Sequence, residues 1–193
     1  MKPGIVKLTA QTRGKGAKAS EELRGSFSVP AVLYGPTVQE NKLLAVGEVA
    51  LEKILNDLHL QFVELHEGDN TYLSVIKNVD FHPVTDRPLH IDFILLDDAH
   101  EVNVVVPVKL KGTSKGVVIG GRLFQSVREM RIKGLPNELP SLIEIDISDM
   151  EIGHTVKVRD LNIGNVKSME PQSTTIVVVN PPKGGSKNIK EEA

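Results

Sequence analysis

The sequence predicts a mainly β protein with minor α, built as two domains that divide near residue 98. Three observations carry this expectation. Aromatic residues are scarce, with 2 Tyr, 5 Phe and no Trp, so the core falls to Val, Ile and Leu, which favour strands. Short β-branched runs recur between Gly and Pro punctuation along the 193 residues. Only one stretch changes to a helical period. The expected units are a domain over 1–98, a small β-sandwich or roll over 99–180, and a disordered tail over 181–193.

The elements follow in order. Ile5 to Leu8 reads as a strand, and Gly14-Lys15-Gly16-Ala17 as a loop with two glycines. Val29 to Tyr34 is a short strand entered through Pro30 and closed by Gly35 and Pro36. Leu43 to Val46 is another. From Val49 to Leu60 the period changes: Leu51, Ile54, Leu55 and Leu58 form one apolar stripe of a helix, best explained as core packing. Phe62 to Leu65 and Tyr72 to Val79 flank Glu67-Gly68-Asp69-Asn70, a hairpin signature. Leu89 to Leu96 is the last strand of the first half.

The second half reads as strands almost without helix. Val102 to Leu110 holds Pro107, which predicts an edge or a bulge. Gly112, Gly116, Gly120 and Gly121 punctuate the next segment. Leu123 to Ile132 is expected as one strand broken by a bulge, because its apolar residues are out of strict register. Pro136 and Pro140 mark turns; Leu142 to Ile147, Val156 to Val158 and Thr174 to Val179 complete the set. The tail from Pro181 has almost nothing to bury.

Composition excludes several classes. Charged residues make up 25% and apolar residues 40%, ordinary values for a globular chain. The absence of Cys rules out disulfides, thiolate zinc sites, iron–sulfur clusters and a cysteine nucleophile. No apolar run approaches the roughly 18 residues of a membrane span, and Met1 to Ala10 lacks a signal-peptide layout, so a cytoplasmic chain is expected. The net charge of −2 argues against non-specific coating of nucleic acid. It conceals an asymmetry: residues 1–24 hold six basic and two acidic residues, whereas residues 25–98 hold four and twelve. A basic contact face on an acidic body is one reading of these blocks, and scatter over a solvated surface is the other.

No pattern for a phosphate-binding loop exists, and Gly112 to Gly121 lacks a strand–loop–helix setting. His82, His90 and Asp92 offer two imidazoles and a carboxylate for a metal-dependent enzyme, but their spacing fits no zinc motif. No nucleophile elbow accompanies the Ser and His residues. Strand alternation is more informative. It turns Ile91, Phe93 and Leu95 to the core and sets His90 and Asp92 together on the opposite side, about 7 Å apart along the strand. On chemistry alone an internal hydrogen-bonded pair outweighs a ligand-facing one. The carboxylate could accept hydrogen bonds from base edges, and the imidazole could meet a base or a phosphate. Tyr34, ending its strand beside Gly35, could add a ring or hydroxyl, while Arg13, Lys15 and Arg24 could reach phosphates.

The segments Arg13-Gly14-Lys15-Gly16-Ala17, Leu23-Arg24 and Val29-Pro30-Ala31-Val32-Leu33-Tyr34-Gly35 resemble the start of a family of bacterial large-subunit ribosomal proteins. This is the 5S rRNA-binding family whose two-domain form is called Ctc, or general stress protein. Val79 to Phe93, with His82-Pro83 and His90-Ile91-Asp92-Phe93, resembles its second block. Gly120-Gly121, Leu135-Pro136-Asn137-Glu138-Leu139-Pro140, Ile143-Glu144-Ile145-Asp146-Ile147, Ile152-Gly153 and Val158-Arg159-Asp160-Leu161 follow the order of its C-terminal domain. The resemblance spans about residues 5 to 180.

It implies that the N-terminal domain is a small β-barrel with helices that binds the loop E region of 5S rRNA. Arg13, Lys15, Arg24, Tyr34, His90 and Asp92 would be the contacts. The chain would act as a monomer within the cytoplasmic ribosome, beside neighbouring rRNA and proteins, without catalysis, cofactor or metal. Two departures imply weaker electrostatics. Ser20-Glu21-Glu22 stands where relatives usually carry Arg, and Asp80 lies two residues before His82, where many relatives have Gln ahead of the His-Pro pair. A protein-interaction adaptor with an acidic surface is the alternative, and a His/Asp metal-dependent enzyme a more distant one.

Overall fold

The structure, a computed structural model, describes residues 3–36, 40–57 and 59–182. The expected tail lies almost wholly outside the described residues. Six strands close a barrel: β1 (Gly4–Thr12), β2 (Ser28–Tyr34), β3 (Lys42–Gly47), β4 (Gln61–Glu67), β5 (Asn70–Phe81) and β6 (Pro88–Leu95). Their order around the barrel is β1-β3-β2-β6-β5-β4, and a parallel pairing of β1 with β4 closes it. Period-two alternation drives this closure. Leu8, Ala10, Ala31, Leu33, Leu44, Val46, Val63, Leu65, Ile91 and Phe93 all point inward and are buried. The hairpin expected between Phe62 and Val79 is present, turning at Gly68, whose φ is +58°.

Helix α1 (Ala17–Gly25) packs against β2, and α2 (Glu48–Leu55) buries Leu51 and Ile54 in the barrel core. The sequence pointed to α2 but extended it to Leu60. The helix instead stops at Leu55, because the chain must turn at Asn56 to enter β4 at Gln61. Leu58 lies outside the described residues. No apolar stripe announced α1; its Glu21 and Glu22 are exposed and carry helix propensity.

The second half forms two small sheets over a shared core, the architecture expected of a sandwich or roll. One sheet has the order β10-β7-β9-β12, from β7 (Val102–Lys111), β9 (Glu129–Gly134), β10 (Ile143–Asp146) and β12 (Lys167–Ser168). The other, β11-β13-β8, uses β8 (Arg122–Gln125), β11 (Thr155–Lys157) and β13 (Thr175–Asn180). One expectation is corrected and one is refined. Leu123 to Ile132 is not one bulged strand but two strands in different sheets, β8 and β9, separated by a corner at 126–128. Pro107 does not lie at a bulge, and the edge expected for it is local, because its stretch of β7 is paired on one side only. It stands where β7 exchanges partners, pairing with β9 up to Pro107 and in parallel with β10 from Val108. Its missing N–H therefore falls at a handover rather than inside a two-sided ladder.

The glycine-rich segment holds the single turn α3 (Lys115–Val118), whose first N–H groups are capped by Ser114. A Cβ on Gly121 would sit 2.5 Å from the Gly116 carbonyl oxygen, so the chain can fold back there only without a side chain. The halves share apolar contact. Phe62 and Val75, on the outer faces of β4 and β5, join Val104, Val106, Met130 and Ile132 in the second core. A hydrogen bond from the Leu60 amide to the Ser141 carbonyl, 2.8 Å long, lies beside this junction. Among the described residues no helix is long and apolar enough to cross a membrane.

Candidate nucleic-acid interface

The outward side of the barrel gathers most of the singled-out residues. Ile91 and Phe93 are fully buried, so His90 and Asp92 emerge on the outer face of β6 as alternation requires. Their side chains converge: His90 Nδ1 lies 3.1 Å from Asp92 Oδ1, with 28% and 30% of the side chains exposed. The two side chains are therefore paired with each other and still partly exposed. With Nδ1–H donating to the carboxylate, Nε2 is left as an acceptor in the neutral ring and a donor in the protonated one.

Strand registration builds a row across the sheet. Asp92 pairs with Val32 on one side and with Asn78 on the other; Val32 pairs with Leu43, whose carbonyl accepts the Arg13 amide at 3.0 Å. Arg13 is further held by a bond from its Nε to the Leu44 carbonyl at 3.1 Å. Tyr34, one row along, pairs with Ile94. Burial pushes its hydroxyl pKa above the ordinary 10.0, and the Asp92 carboxylate adds to the shift. The phenol is thus a proton donor throughout the physiological range.

Arg24 reaches this face from α1, its Nε donating to the Leu89 carbonyl at 3.3 Å, next to His90. Lys15 is exposed on the loop that follows Arg13. Glu21 and Glu22 are exposed on α1. Asp80 lies opposite His90 and accepts from Asn78 Nδ2 at 3.0 Å, which adds a second carboxylate beside Asp92.

His82 does not join His90 and Asp92. Its Nδ1 accepts the Val84 and Thr85 amides and organises the turn before β6. Among the described residues no group of three or more His, Asp or Glu is arranged to hold a metal ion.

A second device fixes the same end of the face. Glu48 is buried, and its carboxylate accepts two bonds from Arg87, from Nε at 2.7 Å and from Nη2 at 2.6 Å. Arg87 also lies over the Phe27 ring, 5.3 Å from its centroid. The pair ties the start of α2 to the turn between β5 and β6, next to Arg24. Hydrogen bonding to Arg87 holds the Glu48 carboxyl below its ordinary range despite burial. Sequence reasoning missed this pair, because residues from two remote elements meet only after barrel closure.

Comparison with known proteins follows the same division of the chain. Residues 8–93 match the family described as Ribosomal L25p, and residues 101–183 match the C-terminal domain of ribosomal protein TL5. Large ribosomal subunit protein bL25 of Porphyromonas gingivalis is 35% identical over 174 residues, covering 89% of this chain and 90% of that protein. The bL25 protein of Cytophaga hutchinsonii is 36% identical over 177 residues, covering 92% and 89%. That of Dictyoglomus thermophilum is 34% identical over 197 residues, covering 97% and 95%.

Proposed function

The chain belongs to the ribosomal L25p family, and from that premise we propose that it is a non-catalytic component of the large ribosomal subunit that binds the loop E region of 5S rRNA. In this reading 1–98 is the RNA-binding unit and 99–180 a second unit carried beside it. The protein works as a monomer within the cytoplasmic ribosome.

The observation that carries the reading is the outer face on which Tyr34, His90 and Asp92 adjoin, with Arg24 anchored next to His90. A regular A-form major groove is too narrow for side chains, so proteins recognise irregular helices by exposed edges, shape and 2′-hydroxyls. Rigid strands carrying an acceptor carboxylate, an imidazole and a phenol suit such edges. Arg13, Lys15 and Arg24 supply phosphate contacts that orient the RNA without reading its sequence. Asp92 repels phosphates, so its contribution is discrimination rather than affinity. Glu21, Glu22 and Asp80 keep the electrostatic attraction modest.

The test is a binding titration of the chain against a loop E hairpin and a regular RNA duplex of equal length, at two salt concentrations. A preference for the hairpin that persists at the higher salt is expected. Weak binding to both RNAs, lost together as salt rises, would refute specific recognition.

A further inference from the structure

The Asp92 face does not open freely on every side. A groove of about 470 Å³ runs between the barrel and the second half. Tyr34, Asn78 and Asp92 line its barrel wall, and Val105, Arg131 and Met169 line the opposite wall. Its volume lies within the roughly 300–1,000 Å³ of ordinary ligand sites.

The charges on the two walls differ. On the barrel side Asp92 is bonded to His90, and Asp80 stands beside them. On the other side Arg131 is exposed on β9, opposite Val105 of β7, and its guanidinium has no hydrogen-bond or ion-pair partner among the described residues. Its neighbour on the same strand face, Lys133, is instead committed to Glu101 at 3.0 Å. Lys77 crosses the groove, its Nζ donating to the Asn103 carbonyl at 3.4 Å. On the barrel wall Lys77 is the cation that faces the repulsion an RNA strand would meet from Asp92, and its Nζ is already bonded to the Asn103 carbonyl. The facing wall holds an uncommitted, planar, permanently charged donor suited to phosphate.

We infer that the second half completes the RNA site, with Arg131 contacting a backbone phosphate of the strand that lies against Tyr34 and Asp92. The inference rests on the RNA-binding reading above and extends it to the second unit, for which the sequence left contact with neighbouring rRNA, contact with protein and shielding of the site undivided. It makes the site a two-walled cleft in which one wall discriminates and the other attracts.

The experiment compares the full chain with Arg131→Ala, Arg131→Glu and Lys109→Ala, the last removing an exposed cation that does not line the groove. Each protein is titrated with the loop E hairpin at several salt concentrations, and its melting temperature is recorded. Arg131→Ala should weaken binding about tenfold, Arg131→Glu more, and the salt slope should fall by roughly 0.7–0.9. Lys109→Ala should leave both unchanged. Unaltered hairpin affinity in Arg131→Ala, with the wild-type chain binding well, overturns the inference and leaves the RNA-binding reading intact. Equal losses in Arg131→Ala and Lys109→Ala reduce the effect to general charge and overturn it too. A lower melting temperature without loss of binding makes Arg131 a contact between the halves instead. A wild-type chain that does not bind the hairpin removes both readings.

Discussion

Replacing Asp92 by Ala separates the two roles its geometry allows. Asp92 bonds to His90 at 3.1 Å, but about 30% of each side chain is exposed. A pair this open to solvent contributes at most about 1 kcal/mol to folding, because water screens it and competes for both groups. For a barrel of this size that corresponds to a fall in melting temperature of no more than about 4–8 °C. A carboxylate that reads base edges contributes about 1–3 kcal/mol of discrimination, on the scale measured for good base contacts. Asp92→Ala should therefore reduce the preference for a loop E hairpin over a regular duplex by roughly 5- to 150-fold, with little loss of stability. Affinity for the duplex should hold or rise, since a charge that repels phosphates is gone. The assay is parallel titration of both RNAs with a thermal melt of each protein. A double-mutant cycle with His90→Ala then isolates the coupling between the two side chains. Equal loss of affinity for both RNAs, or destabilisation well above 1 kcal/mol, would refute base reading and leave a structural pair.

Other expectations follow from the same geometry. Lys15→Ala should weaken hairpin and duplex alike and lower the salt slope by roughly 0.7–0.9, since Lys15 is exposed on a loop and suited to phosphate alone; a loss confined to the hairpin would contradict this. The Glu67 carboxyl is held below its ordinary 4.5, chiefly by the hydrogen bond from Lys42. Its folded pKa is depressed, so the associated stability is present above pH 4.5 and lost as pH falls through the folded value. Urea midpoints measured on either side of that window should fall less steeply with acid in Glu67→Gln than in the wild type. Phe62→Ala should cost about 3–5 kcal/mol by emptying a buried site. Because Phe62 lies between the halves, amide exchange should quicken in β9 as well as in β4, and a change restricted to β4 and β5 would argue against a shared core.

Much of the fold was legible because alternation is a local property. The run Leu89 to Leu96 had to bury Ile91 and Phe93 and turn His90 and Asp92 outward, whatever its partners were, and it did. The hairpin at Gly68 was legible for a similar reason, since a short polar turn between alternating runs leaves few other connections. Helix α1 was not legible. Its sequence carries no apolar stripe to mark a face, and the structure supplies the support for Arg24 by packing α1 on β2.

Pairing between strands is not a local property, and the tertiary structure alone decided it. The sequence by itself determined which residues alternate, the turn chemistry, the shortage of aromatics and the absence of thiol chemistry. It did not determine that β2 lies parallel beside β6, which brings Tyr34 next to Asp92. Nor did it determine that the outer faces of β4 and β5 are covered, so that Phe62 and Val75 belong to a different core from Val63 and Leu65. Arg131 shows the same limit: nothing near it in the chain distinguishes it from other surface cations, and only packing of the second half against the barrel sets it across a groove from Asp92. Local pattern fixes which way a side chain points from its own strand. What it then meets depends on contacts remote in sequence, whose closure is driven by burial of the whole core.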